Sequence, residues 1–323
     1  MKLSRRSTSV PDRASSILLR LGVLVLAIGV LAFGGFYYQD QHVDAGPTLV
    51  GRQTEAAEAA VKKAPNNIAA RLALGASYRS VNRLDDALGQ YDEILKADKT
   101  NRFALLGRGE ALIAKGDLNA AATTYRKITS AQKKGEFAGA DPQLEEAYYY
   151  LGSIAVKQGK AKEAITQLQL ALKIQKSDSD ALYLLGVAQL KDGAPQLAAD
   201  SLNQALLFVP TGWCEPYSQL TTAYGMLGRV PQATYAKGMA AFCLKKPAEA
   251  KRQLTSLIKI KGPVAVDALL GLALMAETES NNPEAVTWYK QVLTVDRTNI
   301  NAISSLSRLG VTPTGSSTTQ GPS

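Results

Sequence analysis

The chain has 323 residues, 46% of them hydrophobic but only 7% aromatic, and alanine and leucine dominate the apolar set, a balance that favours helix over sheet. One histidine and two cysteines exclude a zinc centre built from four nitrogen or sulfur ligands. The net charge is +9, but four of those charges fall in the first twenty residues, where Lys2, Arg5, Arg6, Arg13 and Arg20 outnumber Asp12; the mild excess elsewhere, without a basic stripe among aromatics, argues against a nucleic-acid partner.

Residues 1–20 read as a basic cytoplasmic tail. Residues 21–38 form an uncharged, mostly apolar run. As a helix it would extend roughly 27 Å, close to the ~30 Å hydrocarbon core of a bilayer. Phe36, Tyr37 and Tyr38 stand where an aromatic belt would meet the outer interface. Basic residues before the run and Asp40 and Asp44 after it orient the N-terminus to the cytoplasm and the rest of the chain outside. A cleaved signal peptide is the rival reading, but the bulky stretch Phe33 to Tyr38 offers no small-x-small cleavage site. No cysteine follows the run to carry a lipid, and the residues flanking Arg5-Arg6 do not match a twin-arginine export signal. Residues 39–50, broken by Gly46-Pro47, read as a linker.

The remainder is self-similar. Gly75 and Gly109 are 34 residues apart, as are Ala87 and Ala121, Tyr91 and Tyr125, and Ile94 and Ile128; Gly152 and Gly186 repeat the interval, with Ala164 and Ala198, Leu168 and Leu202, and Ala171 and Ala205. Such a period marks one helical hairpin used repeatedly. In the first unit, Asn67 to Ser80 and Asp85 to Ala97 carry apolar residues at helical spacing on either side of an Asn82-Arg83 turn. Small residues such as Gly75 and Ala87 allow two helices to cross at close range.

This pattern resembles the tetratricopeptide repeat family. Leu74-Gly75, Tyr78, Ala87 and Tyr91 match its motif, with Ile94 in place of the family's alanine. Leu151-Gly152 with Ala164, Leu168 and Ala171, Leu185-Gly186 with Ala198, Leu202, Ala205 and Pro210, and Leu270-Gly271 with Ala285, Tyr289 and Val292 match in later units. Ala57, Ala60 and Pro65 look like the second helix of a truncated leading unit. The resemblance implies an all-α fold, an α-solenoid of helical hairpins over residues 51–310; within it residues 298–310 read as an amphipathic capping helix, and residues 311–323, rich in Ser, Thr, Gly and Pro, read as a disordered tail.

Two departures stand out. Between the second and third units the interval is 43, so a longer loop is expected from about Lys133 to Pro142. Further on, Ala233 and Ala250 both sit in second-helix-like patterns only half a period apart. Helices are predicted at 213–228, 231–244, 247–260, 263–279 and 283–296, an odd number that leaves one out of phase. The first two would form an antiparallel hairpin turning near Arg229, with Cys214 and Cys243 at equal heights above the turn. Those two residues then form a disulfide if the packing is close, or stand as buried free thiols.

No catalytic constellation, cofactor site or metal site emerges. His42 lies in the linker, far in sequence from any nucleophile, and acidic pairs such as Asp85-Asp86 and Glu145-Glu146 sit at helix starts, where they complement the helix dipole. The resemblance implies a concave groove lined by first helices, with Arg79, Glu110, Tyr149, Ser153, Lys157, Tyr183 and Lys191 among its residues. Tyr149, Tyr183, Lys157 and Lys191 imply an aromatic, mildly basic surface. Ala76, Glu110, Ser153 and Val187 occupy the slots where the family's carboxylate-clamp variant needs asparagine, so that specificity is not expected. The function expected is a membrane-tethered scaffold or assembly factor, not an enzyme, that binds proteins or peptides outside the cytoplasm. Some bacterial members of the family with this layout assist secretion or cytochrome maturation. The alternative is an envelope structural protein that binds a cell-wall polymer or a small ligand.

Overall fold

The computed structural model describes residues 29–34, 37, 48–132, 140–208 and 212–312. Helices follow one another as α1 (Leu49–Lys63), α2 (Ile68–Ser80), α3 (Leu84–Ala97), α4 (Arg102–Lys115), α5 (Leu118–Gln132), α6 (Pro142–Lys157), α7 (Ala161–Ile174), α8 (Ser179–Lys191), α9 (Pro195–Phe208), α10 (Glu215–Met226), α11 (Val230–Cys243), α12 (Pro247–Thr255), α13 (Pro263–Thr278), α14 (Asn282–Val295) and α15 (Ile300–Arg308). Residues 29–34 are also helical, and Val30, Leu31 and Phe33 are exposed. No helix among the described residues is long and apolar enough to cross a membrane. The rest of the expected span at 21–38, the basic tail, most of the linker, the core of the loop after α5 and the tail from 313 lie outside the described residues. The linker expected to reach residue 50 is shorter, because Thr48 caps α1 by accepting a hydrogen bond from the Gly51 amide at 3.1 Å.

The helix boundaries follow local chemistry. Asn67, Asn101, Asp141, Asp178 and Asn299 each accept backbone N–H groups at the start of a helix. Within hairpins the reversal passes through a residue in the left-handed region. Glycine fills that place at Gly116, Gly159, Gly193 and Gly228, whereas Asn82, Lys245 and Ser280 adopt it despite a Cβ.

The four hairpins from α2–α3 to α8–α9 are each locked by a size match. A Cβ added to Gly152 would lie 2.5 Å from Leu168 Cγ, and one added to Gly186 would lie 2.6 Å from Leu202 Cγ. Gly75 meets Tyr91 and Gly109 meets Tyr125 in the same way. In every pair the large residue stands sixteen positions after the glycine, and Ala87, Ala121, Ala164 and Ala198 are fully buried beside it. First helices also touch their counterparts, α2 with α4, α4 with α6, α6 with α8 and α8 with α10, whereas second helices of successive units stand farther apart. The array therefore curls with its first helices inside.

That order changes at α11. It packs against α10 as the second helix of one hairpin and equally against α12 as the first helix of the next, and it alone continues the inner row to α13. The spacing agrees. Gly238 in α11 abuts Leu254 sixteen residues later in α12, and Ala250 is fully buried at the corresponding place. In the preceding hairpin the sizes are exchanged: Leu220 stands where glycine recurs and Ala236 where the large residue recurs, both in one buried cluster. Ala236, not Ala233, is thus the fully buried alanine of α11. The out-of-phase helix is one shared by two hairpins. The helix expected at 247–260 ends at Thr255, because the chain must reverse before Gly262, whose φ of 116° precedes Pro263. A disulfide joins Cys214 and Cys243 across the open end of the α10–α11 hairpin, with Cα atoms 5.4 Å apart.

Candidate functional site

The inner row carries a chain of polar and aromatic contacts from unit to unit. Arg79 of α2 pairs with Glu110 of α4 at 2.7 Å. Tyr150 of α6 donates its hydroxyl to Glu110 at 3.0 Å and stacks on Tyr125 with ring centroids 5.0 Å apart. Tyr149 meets Tyr150 edge to face at 5.3 Å. Further along, Lys191 Nζ donates to the Val156 carbonyl at 3.3 Å, and Tyr183 of α8 packs against Trp213 at 5.3 Å. Ser153 is half-buried, while Lys157 is exposed and reaches solvent.

The electrostatics differ from expectation. Arg79 is spent on Glu110, so the surface beside the tyrosines is governed by carboxylates. Glu146 is half-buried, and burial together with the charge of Glu110 raises its carboxyl above the usual range, with Arg79 opposing. Glu145 is pushed up to about 8, by burial first and then by the neighbouring carboxyl groups of Asp178 and Glu146. Its Oε1 is enclosed and has no hydrogen-bond partner among the described residues. Asp180 is raised by burial and by Asp178. The inner face at α6 and α8 is aromatic and acidic, not mildly basic. Tyr149 responds to its acidic neighbours as well as to burial, its hydroxyl being pushed up to about 12 by burial, Asp180, Asp178 and Glu145.

The expected residues therefore divide. Arg79 and Glu110 are brought together, Tyr149 joins them through Tyr150, and Tyr183 stands apart beside Trp213. Two participants escaped the sequence reading, Tyr150 and Glu146. The run Tyr148-Tyr149-Tyr150 held the signal. Successive residues on a helix point about 100° apart, so one face can bury only one of the three. Tyr148 is that one, packed with Leu144 and Ala171, which leaves the other two for the inner surface.

A sequence profile of the tetratricopeptide repeat matches residues 51–102, 72–136 and 229–299, and a TPR repeat profile matches residues 152–193. The match at 229–299 begins with α11, consistent with its role as a first helix. By sequence the chain is 24% identical over 251 residues to the Protein CTR9 homolog of Arabidopsis thaliana, which covers 76% of this chain and 21% of that protein, about a fifth of its length. Among solved structures, YrrB, a TPR protein with an unusual peptide-binding site, superposes with a TM-score of 0.50 at 21% identity, over 62% of this chain and 97% of its own. The C-terminal part of a TPR repeat-containing protein from Cytophaga hutchinsonii superposes with a TM-score of 0.50 at 18% identity, over 80% of this chain and 94% of its own. These likenesses concern the fold.

Proposed function

We propose that this tetratricopeptide-repeat protein is a membrane-tethered scaffold, not a catalyst, that holds an extended segment of another protein along its inner row outside the cytoplasm. The observation that carries the binding reading is the seam from Arg79 through Glu110 and Tyr150 to Tyr149, where three successive first helices converge on half-buried polar and aromatic groups. A seam of tyrosines backed by carboxylates suits a segment with basic and apolar side chains, since tyrosine gives large contact area at small entropic cost. The apolar run at 21–38 supports the tether, and the Cys214–Cys243 bridge supports an oxidising compartment. The resemblance of YrrB extends to peptide binding only by analogy of fold.

Two experiments test this. Protease added to intact spheroplasts should digest the array; survival until lysis would overturn the topology. A photo-crosslinking residue at Ser153 should capture a partner, and Tyr149→Ala with Tyr150→Ala should weaken that capture by at least ~2 kcal/mol if they are anchors. Unchanged capture by a variant with native helicity would move the site elsewhere, and capture of a glycan instead would favour an envelope-binding role.

A further inference from the structure

Where α11 passes from the outer row to the inner row, α9, α10, α11 and α13 surround a space that no helix fills. Two cavities of about 290 Å³ and about 280 Å³ flank Tyr217 and Tyr235, which line both. The first is walled by Tyr217, Tyr224 and Tyr235, with Asp267 of α13 and Gln232 of α11 as polar groups. The second is lined by Met239, Leu270 and Leu274, with Asn301 and Ser305 at its edge.

Asp267 is the unusual member. Among the described residues no lysine or arginine forms an ion pair with it. It lines one cavity with Tyr217, Tyr224 and Tyr235, and its charge reaches Tyr217 and Tyr235. Burial alone raises the Asp267 carboxyl above the ordinary range. A half-buried carboxylate without a cation is costly, and aromatic faces around it attract positive charge. A planar guanidinium satisfies both demands, because it can lie against a tyrosine ring while its N–H fork meets a carboxylate. An ammonium lacks the planar fork that meets ring and carboxylate together.

We propose that this cleft is a second recognition site, distinct from the seam of α2 to α8, that takes an arginine side chain of a partner polypeptide between Tyr217, Tyr224 and Tyr235 against Asp267. The neighbouring lobe beside Met239, Leu270 and Leu274 takes an aliphatic side chain of the same segment.

The full-length protein in detergent is titrated with fluorescein-labelled glycine–serine peptides that carry one central arginine, lysine or citrulline and a nearby leucine. Citrulline keeps the shape of arginine and removes its charge. The arginine peptide should bind at least tenfold more tightly than the citrulline peptide, with lysine between them. Asp267→Asn, nearly isosteric, should erase that preference, and Tyr224→Ala should weaken arginine binding while helicity and melting stay native. Lys127→Ala, exposed on α5 and outside both sites, should leave it unchanged. Equal binding of arginine and citrulline peptides, no binding of either, or a preference that survives Asp267→Asn in a cooperatively melting variant overturns the proposal. A preference that disappears with Tyr149→Ala instead assigns arginine recognition to the seam and equally overturns this cleft.

Discussion

Glu145 keeps a proton at a pH where an exposed glutamate has lost it. Burial and the facing Asp178 carboxyl raise its folded-state pKa to about 8, against 4.5 for the free side chain. Between those values the folded chain binds a proton that the unfolded chain has released, so stability declines as pH rises through that window. Glu145→Gln removes the titration and keeps the shape. Melting temperature measured from pH 4 to 8.5 should fall less steeply in the variant, with the variant the more stable at the alkaline end; parallel curves would refute the assignment. At this scale the sequence was only partly legible. Glu145-Glu146 read as a helix-dipole pair, and Glu145 does stand in the first turn of α6. What it faces depends on Asp178, the cap of a helix 33 positions away, and that distance in sequence closes only in the fold. Tyr150 was hidden for a similar reason, because its partner Glu110 is supplied by another hairpin.

The hairpin depends on where its glycines are, and the same residue type has opposite effects at two places. At Gly152 an added methyl would meet Leu168 at 2.5 Å, deep in the hairpin contact. At Gly89, inside α3, it would meet nothing within 4 Å. Gly152→Ala should therefore cost about 1–3 kcal/mol through overpacking, whereas Gly89→Ala should stabilise by about 0.5–1 kcal/mol through helix propensity. Urea midpoints of the two variants check the contrast, and the same sign for both would contradict it. Elements were the most legible scale, because most boundaries have a local cause: an asparagine or aspartate cap, a proline in the first turn, or a glycine after the last. The exceptions are instructive. Apolar Leu257 and Ile258 extend the helical pattern of α12 beyond its end, but Leu257 is buried in the turn that leads to Pro263, so the same side chain serves the core without a helix beneath it.

Among the described residues the main helix contacts run between neighbouring hairpins, so the shape is the sum of local steps. The 34-residue period gave that sum for α2 to α5 and again for α6 to α9, with a longer connection between the two. It could not give the step at α11, because a period reports repetition and says nothing about a helix that belongs to two repeats. The half-period between Ala233 and Ala250 was the trace it left, and the exchange of sizes between Leu220 and Ala236 concealed the hairpin before it. The bridge between Cys214 and Cys243 gives this junction a mechanical character. An array pulled from its ends unravels hairpin by hairpin and pays out chain as it goes. Here the 29-residue separation between the bridged cysteines is withheld from the lengthening, so α10 and α11 can lose their packing without being drawn straight. Stretched in a force spectrometer, the oxidised chain should reach a final length shorter than the reduced chain by about 100 Å, the extended span of that segment; identical lengths would show that the bond does not bear the load. An array held at both ends would thus stop yielding at α11, with the hairpins on either side free to give way first.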